Sequence, residues 1–169
     1  ADVMPPNEIK TLKERARVCC IPTSAGTGSE ATRAALVKDT DEHKKYSIRC
    51  MRNRMVPDVA ILDPVFSTTM PPSLTAGSGM DALTHAIETY VATNANPLSD
   101  AMAIGGFITG FNNLATCYDE PENLEARAAM LEASCMAGIA FSNAALGIVH
   151  SIAHTFGAIY GVPHGMANA

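Results

Sequence analysis

The chain has 169 residues, of which 47% are hydrophobic and only 17% are charged. The charged fraction is low beside the roughly 25% of ordinary soluble domains. It indicates either a large core or a surface that is covered by something outside this chain. The formal net charge of −5 provides no basic patch, which argues against nucleic acids and anionic membranes as partners.

The cysteine pattern and the N-terminal residues point to a reducing, cytoplasmic setting. The five cysteines are an odd set without a C-x-x-C pair, so neither a disulfide framework nor a zinc ribbon is indicated. The first residues, "ADVMPPNEIKTLKERAR", lack the apolar region of a signal peptide. The most apolar run, at about 133–149, is broken by Ser134, Ser142 and Asn143, which favours a buried helix pair over a membrane span.

Four short apolar segments predict β-strands in the first part of the chain, with polar turns such as "DTDEHKK" between them. Hardly any helix is predicted between these strands, although parallel sheets need covering helices on both faces. We therefore expect only part of an α/β domain here. The segments are "RVCCIPT" (17–23), "ATRAALVKD" (31–39), "YSIRCM" (46–51) and "DVAILD" (58–63).

After the "PPSL" segment the apolar pattern becomes helical. Ser73 is the expected N-cap of a first helix over about 73–93, because two prolines precede it. A second helix is predicted from about Leu98 to Cys117, with a proline at its start. The third and fourth are predicted over 120–142 and 144–160. This change of character divides the chain into an α/β part, residues 1–70, and a helical part, residues 71–169.

Two of the helical segments carry side chains with the spacing of metal ligands. In "GMDALTHAIE", Asp81 and His85 lie four residues apart and share one helix face. His150 and His154 repeat this spacing, and His164 follows a Gly/Pro turn. One carboxylate with two or three neutral imidazoles suits zinc or ferrous iron and leaves a position for substrate.

The spacing leaves two questions about this cluster open. It does not decide which of His150 and His154 is the ligand. The alternative to a metal site is an Asp–His pair on a helix surface, together with core histidines that bond to backbone carbonyls.

A second candidate site is the loop "IPTSAGTGSE", residues 21–30. A strand that ends in a loop rich in Thr, Ser and Gly offers backbone N–H groups and hydroxyls to a phosphate. The loop is neither a Walker A motif, since no lysine follows the glycines, nor a G-x-G-x-x-G fingerprint. Phosphate binding and a simple turn both remain open from the residues alone.

In order and spacing, these motifs resemble the iron-containing (group III) alcohol dehydrogenases. The resemblance extends from Val18 to Ala169 and rests on "IPTSAGTGSEAT", "PDVAILDP", "MPPSLTAGSGMDALTHAIETY", "FSNAALGIVHSIAHTFGAIYGVPHG" and "MANA". It implies the dehydroquinate synthase-like architecture, in which a dinucleotide-binding α/β domain precedes an all-α helical metal-binding domain and the metal lies in the cleft between them.

Family members are much longer than this chain, so the resemblance also implies a fragment. Residues 1–70 would be the C-terminal part of the dinucleotide-binding domain, and residues 71–169 the N-terminal part of the helical domain. We therefore expect residues 1–169 to be loosely packed or prone to aggregate when expressed alone, with little dehydrogenase activity.

The resemblance also implies roles for single residues. The four metal ligands match Asp81, His85, His150 and His164. A histidine that relays a proton near the nicotinamide matches His154. Contacts with the dinucleotide cofactor fall at Thr23, Ser24, Ala25, Gly26, Thr27, Leu36, Lys45 and Phe66. The substrate pocket matches Phe141 and Leu146.

The implied function is that of an NAD(P)-dependent alcohol dehydrogenase and aldehyde reductase acting on small alcohols. Fe²⁺, or Zn²⁺ in its place, acts as a Lewis acid on the alcohol oxygen and hydride passes to the nicotinamide. The residue that chooses between NAD and NADP lies upstream of the matched segment, so either cofactor is implied. A homo-oligomer is expected.

Two alternative functions stay open at this point. One is a non-catalytic fragment or a scaffold segment of a bifunctional aldehyde–alcohol dehydrogenase. The other is a zinc-dependent relative of the same fold, such as a polyol dehydrogenase or maleylacetate reductase. Those relatives usually alter the ligand set, so the full Asp–His–His–His set favours iron and simple alcohols.

Overall fold

The computed structural model describes residues 15–41, 44–49 and 55–169. Within these ranges the β-structure forms two sheets of two strands each. The strands are β1 (Cys19–Cys20), β2 (Ala34–Asp39), β3 (Lys44–Arg49) and β4 (Val59–Ala60). β1 and β4 pair in parallel, whereas β2 and β3 form an antiparallel hairpin.

All four predicted strands are present, but three of them are shorter than the sequence pattern indicates. β1 and β4 have only two residues each, since only Cys19 and Cys20 pair with residues of the neighbouring strand. The amide of Val59 donates to the carbonyl of Val18, and that of Ile61 donates to the carbonyl of Cys20. The strand predicted over 46–51 begins earlier, at Lys44, and its last two residues lie outside the described ranges. The parallel pair agrees with the expected part of an α/β domain.

Five helices follow the strands. Their bounds are α1 (Pro72–Tyr90), α2 (Pro97–Asp119), α3 (Leu124–Asn143), α4 (Ile148–Ile159) and α5 (His164–Asn168). The four predicted helices are confirmed, and the short α5 is an addition. The apolar run at 133–149 is divided between α3 and α4, as expected for a helix pair.

Asparagine side chains fix the starts of α2 and α3. Asn96 accepts hydrogen bonds from the amides of Leu98 and Ser99, and the Ser99 hydroxyl accepts one from the Asn96 amide, which completes a capping box. Asn123 accepts a hydrogen bond from the amide of Ala126 at the start of α3.

The predicted N-cap of α1, Ser73, is wrong. Pro71 occupies the N-cap position, and no side chain caps the helix there. Pro72 is the first helical residue, a position where its fixed φ suits the helix and its missing N–H costs nothing. Ser73 therefore lies inside the first turn.

The first three helices pack on one another and form the core of the described structure. Ala25, Cys117, Ala126, Met130 and Leu131 make up its buried apolar cluster. Ala25 belongs to the loop after β1, so this loop is anchored against the helices. The short α5 packs on α1 and α4.

Among the described residues, no single helix has both the length and the apolar composition of a membrane span. α3 and α4 together satisfy both criteria, with a bend of 106° at the break between them.

Candidate metal centre

Three helices bring the predicted ligand residues to one place. α1 presents Asp81 and His85 one turn apart, α4 presents His150, and α5 presents His164. The chain returns from α4 to α5 through Gly161, whose φ of 68° lies in the left-handed region that glycine adopts without strain. This turn allows the histidine that begins α5 to face α1.

The ligand atoms are spaced like those of a metal shell. Asp81 Oδ1 lies 3.8 Å from His85 Nε2, 3.4 Å from His150 Nε2 and 3.6 Å from His164 Nε2. One ligand atom each from Asp81, His150 and His164 lie within 4.8 Å of one another. Ligand atoms about 2.1 Å from a tetrahedral zinc ion stand about 3.4 Å apart, so the observed spacings suit a single ion.

A buried asparagine lies at the centre of these atoms. The Asn168 side-chain nitrogen donates to Asp81 Oδ1 at 2.6 Å and lies 3.2 Å from His150 Nε2 and 3.3 Å from His164 Nε2. Its Oδ1 has no hydrogen-bond partner among the described residues. Acceptor atoms that converge on one point need a cation or a donor there. One carboxylate and three imidazoles are therefore a donor set that fits Fe²⁺ or Zn²⁺.

Two of the imidazoles are oriented through the ring nitrogen that faces away from Asp81. His85 Nδ1 lies 3.2 Å from the carbonyl oxygen of Gly26, and His150 Nδ1 lies 2.7 Å from Glu88 Oε2. A carbonyl and an ionised carboxylate only accept hydrogen bonds, so Nδ1 carries the proton in both rings. Nε2 faces Asp81 in both rings, so it is the nitrogen available to bind a metal once any proton it carries is displaced.

Burial and charge set the protonation states in the centre. Burial lowers the pKa of His85 to about 4, so this ring is neutral at physiological pH. Burial raises the pKa of Asp81, but the hydrogen bond with His150 and the neighbouring histidine charges outweigh it and hold the pKa below its usual value. Burial lowers the pKa of His150, but hydrogen bonds with Asp81 and Glu88 raise it above the usual value. A metal would therefore displace a proton from His150.

The loop after β1 reaches the centre through Gly26. A Cβ at this position would lie 2.6 Å from the carbonyl oxygen of Ser78 on α1, so only glycine allows so close an approach. The contact ties the predicted dinucleotide loop to the orientation of His85. Thr23 and Thr27 are exposed and Ser24 is half-buried, and the Thr27 hydroxyl donates a hydrogen bond to Ser29 Oγ at 3.1 Å.

A cavity of about 380 Å³ opens beside the ligand residues. Predicted site residues in its wall are Thr27, Leu36, Asp81, His85, Phe141, Leu146, His150, His154 and His164. The Phe141 ring lies 4.6 Å from the His85 ring. The structure thus unites the predicted metal and substrate residues with two of the predicted cofactor contacts.

The remaining cofactor assignments stay predictions. Phe66 is half-exposed on a 3-10 helix at Pro64–Ser67 and is not among the residues that line this cavity. Lys45 lies on β3 opposite Lys38, and its side chain is outside what the structure describes. Thr23, Ser24, Ala25 and Gly26 lie on the loop after β1 but not in the cavity wall.

His154 has a different position from the other three histidines. It is half-buried, one turn beyond His150, with its ring centre 6.0 Å from that of His150 and 4.9 Å from that of His164. The cluster that could hold an ion comprises Asp81, His150 and His164 and includes neither His154 nor His85, although His85 Nε2 lies 3.8 Å from Asp81 Oδ1. This geometry favours His150 in the choice that sequence spacing leaves open.

Two polar partners of the ligand residues, Glu88 and Asn168, are not singled out by the sequence motifs. Glu88 comes three residues after His85, and Asn168 comes four after His164. Both spacings place a polar side chain on the same helix face as a ligand. That signal could have identified them as partners of the ligands.

The fold and the site together define a helical metal-binding domain preceded by part of an α/β domain. Comparison with known protein families agrees with this description. Residues 75–169 match the C-terminal part of the Fe-containing alcohol dehydrogenase family, and residues 1–64 match the iron-containing alcohol dehydrogenase family. The chain belongs to the iron-containing alcohol dehydrogenase family.

The individual relatives are longer than this chain. It is 45% identical over 162 residues to the probable alcohol dehydrogenase EutG of Salmonella typhimurium, covering 96% of this chain and 40% of that protein. It is 43% identical over 168 residues to the NADPH-dependent butanol dehydrogenase of Clostridium saccharobutylicum, covering 99% and 42%. The crystal structure of sulfoacetaldehyde reductase from Bifidobacterium kashiwanohense in complex with NAD⁺ matches with a TM-score of 0.91 at 34% identity, covering 99% and 44%. The chain thus spans about two fifths of the length of these curated relatives.

Proposed function

We propose that the protein containing this chain is a metal-dependent NAD(P) alcohol dehydrogenase that interconverts small alcohols and aldehydes. The observation that carries the proposal is the cluster of Asp81, His150 and His164, whose ligand atoms lie within 4.8 Å of one another beside a cavity. His85 Nε2 lies 3.8 Å from Asp81 Oδ1 in this cluster. The names of the relatives, among them a butanol dehydrogenase, support an alcohol substrate. The cytoplasmic location and the homo-oligomeric state expected from the sequence stay predictions.

Fe²⁺, with Zn²⁺ as the alternative, would be held by Asp81, His85, His150 and His164. When bound, the ion supplies Lewis acidity toward the alcohol oxygen, and the nicotinamide supplies the hydride acceptor. The ionised Asp81 balances part of the charge of the ion. The neutral His85 contributes a lone pair without adding positive charge.

The cavity wall positions the substrate. Phe141 and Leu146 offer apolar surface to the hydrocarbon part of a small alcohol and reduce the access of water to the centre. His154 lines the same cavity while remaining half-buried. It can therefore take the proton that leaves the alcohol and pass it toward solvent, the role of a general base.

The loop from Thr23 to Thr27 would hold the dinucleotide. Its exposed hydroxyls and its backbone N–H groups suit a phosphate. The carbonyl of Gly26 simultaneously orients His85. The loop would thus position the cofactor and one metal ligand together.

The loop assignment predicts an effect of charge on cofactor affinity. Ser24→Asp should weaken NADH binding about tenfold or more, because a carboxylate repels the pyrophosphate; tenfold corresponds to about 1.4 kcal/mol. Titration of NADH fluorescence with the intact protein measures the dissociation constant. Ser24→Asn is the matched control, since it has the size of aspartate without the charge. Equal affinities for the two variants would mean that the loop only makes a turn.

The proposed activity is tested with the intact protein, loaded anaerobically with Fe²⁺ or with Zn²⁺. Reduction of NAD⁺ and NADP⁺ is followed with ethanol, 1-propanol and 1-butanol as substrates. We expect turnover that a chelator abolishes and that added metal restores. Metal binding without turnover would support the non-catalytic scaffold alternative, and the absence of both would refute the proposal.

A further inference from the structure

Glu88 is a buried carboxylate outside the proposed ligand set. It lies on α1, seven residues after Asp81, and is 5% exposed. Its Oε1 accepts a hydrogen bond from the amide of Val149 at 2.7 Å. Its Oε2 accepts one from the amide of His150 at 3.3 Å and lies 2.7 Å from the Nδ1 of the same residue. One carboxylate therefore contacts both the backbone and the ring of a proposed ligand.

The backbone contacts fall at the start of α4. The first N–H groups of a helix have no partner within the helix. Gly147, at the N-cap of α4, provides no side-chain hydrogen bond. Glu88 fills this role from another helix, and its negative charge suits the positive end of the helix dipole. It thereby ties the helix that carries His150 to the helix that carries Asp81 and His85.

The ring contact decides where the proton of His150 lies. Glu88 accepts hydrogen bonds from two backbone amides and faces the His150 ring, an arrangement of donors that suits an ionised carboxylate. The ionised carboxylate can only accept, so His150 Nδ1 donates to it. His150 Nε2 then faces Asp81 Oδ1 at 3.4 Å and is the nitrogen that can bind the ion in exchange for a proton.

We propose that Glu88 is a positioning residue of the metal centre, which holds His150 in the tautomer and orientation that bind the ion and fastens the start of α4 to α1. The inference rests on the proposed metal-binding function. Carboxylates that accept the second N–H of a ligating histidine typically contribute about 10- to 100-fold to metal affinity. We expect an effect of this size.

Glu88→Gln is the decisive variant, because it keeps the shape of the side chain. If its amide nitrogen faces His150 Nδ1, the ring must accept there, and the proton moves to Nε2, where it blocks the ion. If the amide is turned the other way, its NH₂ opposes the amide of Val149 and the start of α4 loosens. Both orientations should weaken binding of Zn²⁺ by about 10- to 100-fold, measured by competition with a chelator in the intact protein.

Two further variants and two further measurements make the test specific. Glu132 is an exposed carboxylate on α3, so Glu132→Gln should leave the affinity for Zn²⁺ unchanged. Glu88→Asp restores the charge and should therefore bind Zn²⁺ more tightly than Glu88→Gln does. Nitrogen-15 NMR of the imidazoles should report Nδ1–H in wild-type His150 and a larger share of Nε2–H in Glu88→Gln. Thermal unfolding of the metal-free proteins separates a loss of ligand orientation from a loss of folding.

The outcomes distinguish this inference from the proposed function. If the wild-type protein binds no Zn²⁺ or Fe²⁺, the metal-dependent function itself fails. If it binds metal and Glu88→Gln binds it equally well, only the role of Glu88 is overturned. An affinity that falls solely in step with folding stability, with an unchanged tautomer, would leave Glu88 only the fastening of α4 and overturn its role in holding the tautomer of His150.

Discussion

Replacing His150 with alanine should remove most of the bound metal. The variant leaves three ligand side chains, and loss of a direct ligand should exceed the roughly 100-fold cost of losing an outer partner. His85→Ala should act similarly, because both Nε2 atoms lie within 3.8 Å of Asp81 Oδ1. The metal-to-protein ratio after anaerobic purification, together with the dissociation constant for Zn²⁺, measures the effect.

A matched histidine controls for nonspecific loss of metal. His43 lies outside both histidine motifs in the sequence, so His43→Ala should keep the wild-type metal content. Stoichiometric, tightly bound metal in His150→Ala would refute its assignment as a ligand.

Replacing His154 with glutamine should lower kcat by about 10²- to 10⁴-fold while the metal stays bound, the range typical of a lost general acid or base. The reason is its position: it lines the cavity, lies outside the cluster of Asp81, His150 and His164, and is not one of the four ligand residues that the family resemblance implies. Steady-state rates of alcohol oxidation, measured on protein of verified metal content, give the effect.

The neighbouring Thr155, which is exposed on the same helix, provides the control for His154. Thr155→Val should retain the rate, since the residue does not line the cavity. The dependence of kcat/KM on pH should also lose the limb that reports the imidazole in His154→Gln. A variant with the wild-type rate, or one that loses its metal, would contradict the proposed proton transfer.

Much of the helical part could be predicted from the sequence, because the deciding interactions are local. Prolines mark the starts of α1 and α2, and the four-residue spacing of Asp81 and His85 alone places them on one face. Ser73 is the exception. The preference for serine at the N-cap favours it, but Pro72 already begins the helix, and the helix starts without a side-chain cap. The apolar pattern overestimates the lengths of three strands, because apolar residues allow a strand but only a partner strand defines where the ladder ends.

The sequence by itself determined the helical framework and, through the family resemblance, the set of residues that could form the metal centre. Only the tertiary structure decided how these residues meet. His150 and His154 are equivalent in spacing. The packing of α4 on α5, together with the contacts of Glu88 on α1 with the start of α4, directs one of them at Asp81. Glu88, Asn168 and the carbonyl of Gly26 acquire their roles from contacts between segments far apart in the chain. Helical periodicity specifies which side chains share a face, whereas the distance between two faces depends on how the helices pack.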